Sequence, residues 1–91
     1  MNPSVVPYGR EKMEDLLKRI TFDKEILCGK PIIRHLRISV EMLLELLAKG
    51  ASEQEILEDY PELEAEDIRA ALLYAHGIIA TEEVFERLDA G

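Results

Sequence analysis

Apolar residues recur along this chain at helical spacing in several stretches and alternate with polar ones in two. Met13, Leu16, Leu17 and Ile20 fall at i, i+3, i+4 and i+7, which predicts a one-faced helix over Arg10–Ile20. Ile20-Thr21-Phe22 alternates and favours strand, and Pro31-Ile32-Ile33-Arg34 is a second strand candidate. The two pair as an antiparallel arm with a loop of roughly nine residues between them. Two strands are barely stable alone, so the arm must pack on helices or on a copy of itself.

Four more helices follow. Ser39 reads as an N-cap and Gly50 as the stop, with Val40, Leu43, Leu44 and Leu47 as one apolar stripe between them. Ser52 and Glu55 form the S-x-x-E capping box, opening a helix over Glu53–Asp59 with Ile56 and Leu57 inward. Pro61 ends it by holding Tyr60 extended. The next helix starts near Glu64, with Ile68, Ala71, Leu72, Ala75 and Ile79 at apolar spacing, and stops near Gly77. Thr81 then caps a last helix to about Leu88, with Val84, Phe85 and Leu88 as its face. Residues Met1–Gly9 hold two prolines and a glycine and read as an extended strap.

The expected architecture is mainly α. A three-helix core carries a helix–turn–helix pair joined through Tyr60–Leu63, behind an N-terminal helix and a short β-arm. Residues 1–19 form the strap and first helix, and residues 20–91 the main domain. The joint length suits a DNA-binding pair and equally an ordinary αα-hairpin of a small helical domain.

Charge changes this picture. The chain has 91 residues and a net charge of −8. Arg10–Arg37 holds eight bases against five acids, whereas Ile38–Gly91 holds three bases against fourteen acids. A basic front and an acidic rear serve solubility, or fit partners of opposite sign. The helix that would read DNA opens with Glu64, Glu66 and Asp67, which repel phosphate; Arg69 alone offsets them. DNA contact therefore falls to Lys30, Arg34 and Arg37 on the arm, with Arg69 as the helix contribution. Asp59, Tyr60, Glu66 and Asp67 are the candidate contacts to a protein partner on the acidic side.

Catalytic chemistry is not legible. Gly29-Lys30-Pro31 lacks the upstream glycine and following hydroxyl of a phosphate loop. His35 and His76 have no second ligand at i+4, and Cys28 is the single cysteine, so no disulfide or cysteine-based zinc site is expected. No cofactor is implied, and no enzyme. No apolar run reaches the roughly 18 residues of a membrane span, and the N-terminus has no leader pattern. A cytoplasmic setting is expected.

One combination of motifs is specific. I-T-x-D-x-x-I-x-x-G-K-P-x-I-R…R-I-x-V, followed by L-x-x-G-x-S-x-x-E-I-L-E-D-Y-P-x-L…E-D-I-R-A-A-L-x-Y-A, resembles the domain-of-unknown-function 433 family over about Ile20–Ala75. The family carries Gly-Thr ahead of the arginine that matches Arg37, where this chain has His35-Leu36, and Asp-Pro where it has Asp23-Lys24. The resemblance implies a homeodomain-like helical core and an antitoxin role, paired with a PIN-like ribonuclease toxin. Promoter DNA and a homodimer complete the expected partners, with no membrane. The alternative is a non-catalytic homodimeric interaction module that does not bind DNA.

Overall fold

The computed structural model describes residues 12–90, and side chains as far as Thr81. In order, its elements are α1 (Met13–Leu17), β1 (Ile20–Thr21), β2 (Ile32–Ile33), α2 (Val40–Ala48), α3 (Glu53–Asp59) and α4 (Ala65–Ala90). The mainly helical expectation with a two-stranded hairpin holds. The proposed strap lies outside the described residues, and the first helix, expected over Arg10–Ile20, runs only Met13–Leu17, after an extended Lys12 and before Ile20 enters β1.

The strands pair antiparallel, Ile20 opposite Ile33 and Thr21 opposite Ile32. Ile32 also bridges to Ser39, and the Ile33 amide donates to the Ile38 carbonyl at 3.0 Å. β2 thus lies between β1 and the segment leading into α2, which leaves Ile32 and Ile33 wholly buried. The reversal after β2 uses Arg34 and His35 with φ of 44° and 61°, closed by Leu36 N–H to the Ile33 carbonyl at 2.7 Å. Two successive positive φ values are what a tight right-twisted hairpin needs, and they normally call for Gly or Asn. Here a histidine stands in one of them. Its amide donates to Thr21 Oγ1 at 2.8 Å, tying the turn to β1.

The helix ends follow the expected chemistry. Ser39 Oγ accepts from the Met42 amide at 2.9 Å. α2 closes with Gly50 N–H to Leu47 and Ala51 N–H to Leu46, both 3.0 Å, around Gly50 at φ 104°. That pair of bonds is a Schellman closure, and its positive φ accounts for the glycine. The Ser52–Glu55 capping box is complete: Glu55 Oε1 accepts from Ser52 N–H at 2.8 Å and Ser52 Oγ from Glu55 N–H at 3.1 Å.

The expected stop at Gly77 is a correction. α4 runs unbroken over 26 residues, about 39 Å at 1.5 Å per residue. A lone glycine costs only about 1 kcal/mol inside a helix, and nothing after it forces a reversal. Thr81, expected as an N-cap, lies inside α4 and its hydroxyl donates to the Gly77 carbonyl at 3.0 Å.

α4 crosses the core with Ile68, Ala70 and Ala71 buried. Ile33, Leu43 and Ile56 belong to the same buried cluster. Leu16 of α1 belongs to it as well. The stripe expected on this helix turns outward along its length: Leu72 is 47% exposed and Ile79 53%. From His76 to Ile79 every residue is exposed, so α4 leaves the core after Ala75.

Candidate functional site

The hairpin register creates an electrostatic problem that the rest of the fold answers. With Ile20 opposite Ile33, Arg19 stands opposite Arg34, and the Arg34 amide donates to the Arg19 carbonyl at 2.8 Å. Like charges directly across a strand pair destabilise it. Asp67, at the third position of α4, accepts from both.

Arg34 meets Asp67 as a fork: Nε to Oδ1 at 3.0 Å and Nη2 to Oδ2 at 2.8 Å. Arg19 Nη1 donates to Asp67 Oδ1 at 2.9 Å and to Glu64 Oε1 at 2.8 Å. Arg34 Nη2 also reaches the Glu62 carbonyl at 2.7 Å. Two guanidiniums therefore face two carboxylates. The Asp67 carboxylate accepts in addition from the Glu64 amide at 2.8 Å, which is half of a capping box at the start of α4. An acid in the first turn also suits the helix dipole.

Asp67 is completely buried. Burial pushes its carboxyl up, but hydrogen bonds from Arg34, the Glu64 amide and Arg19 outweigh that and hold it below the usual carboxylate range. The Arg34 guanidinium is raised, first by its bond to Asp67. No buried side-chain polar atom among the described residues lacks a partner.

A second link joins the arm to α2. Leu27, Cys28 and Gly29 take φ of 49°, 58° and 80°, a left-handed turn that delivers Lys30 and Pro31 to the start of α2. Lys30 Nζ donates to Glu41 Oε1 at 2.9 Å, and that bond raises the Lys30 pKa. Beside it lies an open apolar hollow of about 250 Å³, lined by Pro31, Val40, Leu44, Tyr74, Ala75 and Ile78 with Glu41 at its edge.

Of the expected site residues, the structure brings together Arg34 and Asp67, one assigned to DNA and the other to a partner. Asp67 is the clearest correction: a wholly buried carboxylate holding two arginines presents nothing to a partner. Lys30 faces Glu41 rather than Arg34. Arg37 is exposed, and Arg69 is half-buried on α4. Asp59 is exposed at the end of α3, Tyr60 packs against the core, and Glu66 is half-buried in the first turn of α4. Arg19 was missed. Its signal was the strand register, which sets two arginines side by side and requires an acid between them.

Among the described residues no group of three metal-ligating side chains occurs, and no helix is long and apolar enough to cross a membrane.

The family model described as "Protein of unknown function (DUF433)" matches residues 20–75. That span includes Arg34 and Asp67 and ends where α4 leaves the core. The chain is similar to the uncharacterized protein y4eO of Sinorhizobium fredii (strain NBRC 101917 / NGR234), at 37% identity over 77 residues. The alignment covers 78% of this chain and 35% of that protein, so the chain spans about a third of its relative's length. It is also similar to the crystal structure of a DUF433 member protein from Anabaena variabilis, with 29% identity, a TM-score of 0.61 and full coverage of both chains.

Proposed function

The chain belongs to the DUF433 family of proteins of unknown function, and within that family we propose an antitoxin-like binding protein that neutralises a PIN-like ribonuclease. The observation that carries this reading is the inward pairing of the arm. Arg34 and Arg19 are held by Asp67, and Lys30 by Glu41. With those cations engaged, the outward electrostatics follow the net charge of −8. An acidic protein surface is complementary to the basic groove with which a ribonuclease holds RNA, and that complementarity speeds and orients association.

The reading is of a binding protein and not an enzyme, because the charged groups that converge are spent on one another in a structural clamp. Promoter DNA has less support. Of the four cations assigned to it, Lys30 and Arg34 are engaged within the chain.

The test is recovery of the tagged chain from its native cell. A small ribonuclease in equimolar amount is the expected companion. Recovery without any nuclease would overturn the reading.

A further inference from the structure

We propose that the loop over residues 22–30 is a latched, movable wall of the apolar hollow, held in place by the Lys30–Glu41 bond and by Phe22 on Tyr74. Release of these ties swings the loop away about Thr21 and Pro31 and uncovers the Glu41 and Tyr74 side of the hollow. The proposal does not depend on which partner the chain meets.

The loop is closed on itself. Thr21 pairs with Ile32, so its ends lie side by side, as in a compact surface loop. Ile26 N–H donates to the Asp23 carbonyl at 2.8 Å, and the Gly29 and Lys30 amides donate to the Ile26 and Leu27 carbonyls at 3.2 Å. Glu25 N–H donates to Asp23 Oδ1 at 2.9 Å. No residue from 21 to 31 is buried. Ile26 and Leu27 are half-buried, yet among the described residues neither joins the core cluster. Sparse apolar contact and exposed backbone bonds mark a segment that opens well below the free energy of global unfolding.

Strain acts in the same direction. Leu27 and Cys28 take φ of 49° and 58°, where a side chain with a Cβ is disfavoured. Such a conformation persists only where surrounding contacts impose it. Two side-chain ties run from the loop to the helices, and both end on residues that line the hollow. Lys30 Nζ donates to Glu41 Oε1 at 2.9 Å, and the Phe22 ring centroid lies 6.2 Å from that of Tyr74. The Lys30 and Glu41 side chains are 56% and 71% exposed, so their bond is weak and screened by salt. Pro31 stays behind as a hinge, because its carbonyl accepts from Val40 N–H at 3.0 Å at the start of α2. A strained turn set against a weak ion pair gives two states of similar free energy, one with the wall in place and one without it.

Native-state amide hydrogen exchange on the full chain tests this, with circular dichroism as the check on folding. The Ile26, Gly29 and Lys30 amides are expected to exchange together, far faster than those of Ile33 and Leu43. Lys30→Met, at an exposed position, is expected to speed the three by roughly two- to fivefold, the worth of an exposed pair. Added salt speeds them in the wild type, a measurement that needs no variant, and has little effect in Lys30→Met. Cys28→Gly relieves the turn and is expected to slow them by roughly two- to fivefold. With both ties removed, in Lys30→Met with Phe22→Ala, binding of the apolar dye anilinonaphthalene sulfonate is expected to rise by roughly twofold or more, although an exposed ring has been lost. Loop amides that exchange only as slowly as Ile33 and Leu43 overturn the proposal, and so do rates that ignore both salt and Lys30. Faster exchange with unchanged dye binding also overturns it, because the loop then moves without opening the hollow.

Discussion

Arg34 and Asp67 form a two-nitrogen, two-oxygen fork, 3.0 and 2.8 Å, that ties the hairpin turn to the first turn of α4. This is the strongest geometry available to an arginine and a carboxylate. It takes an arm residue that reads as a DNA contact and makes it a structural one. It also explains why α4 can open with a wholly buried acid.

Removing the fork leaves Asp67 buried with Arg19 as its remaining cation. Breaking a buried pair costs about 3–5 kcal/mol, and exposed pairs are worth about 0–1. The Arg34 side chain is 34% exposed, so Arg34→Ala is expected to lower stability by roughly 2–3 kcal/mol. Arg34→Lys recovers only part of it, because an ammonium cannot make the planar fork. Urea unfolding of the three proteins measures both differences.

The clamp sets a direction in pH. The Asp67 pKa is lower folded than unfolded, so its contribution is fully present above the unfolded value, about 3.9. It is lost as pH falls through the folded value. The stability gap between wild type and Asp67→Asn is therefore constant near neutrality and shrinks in acid below about pH 3.9. Paired urea titrations across that range give the curve. A gap that widens in acid would contradict the assignment.

His35 stands at φ 61° in the turn after β2. A left-handed conformation costs a residue with a Cβ about 1–2 kcal/mol, and glycine costs about 0.5–1 in unfolded-chain entropy. His35→Gly is expected to raise stability by about 0.5–1 kcal/mol. The His35 amide bond to Thr21 stays in place, so thermal unfolding reads the backbone term directly.

Much of this fold is written in short-range chemistry. Ser39, Gly50, the Ser52–Glu55 box and Pro61 mark helix ends by local hydrogen bonding and by φ, and those ends fall where the residues say. Gly77 misleads for the same reason. A glycine stops a helix only where the chain must turn, and what surrounds it is not a local property. Leu72 misleads differently: helical spacing sets it on the stripe with Ile68 and Ala71, which are buried, yet it is itself 47% exposed. The clamp was half legible. Arg34 and Asp67 both stand out as charged residues beside apolar runs, yet they are 33 residues apart. Only the hairpin register, with Arg19 opposite Arg34, shows that the arm needs an acid, and no spacing says which acid supplies it.

The most direct test of the binding reading is RNA cleavage by a PIN-like ribonuclease of the same cell, titrated with the purified chain. Cleavage is expected to fall in proportion to added chain and to vanish at equimolar ratio, while the chain alone cleaves nothing. Undiminished cleavage with the chain in excess would contradict the account.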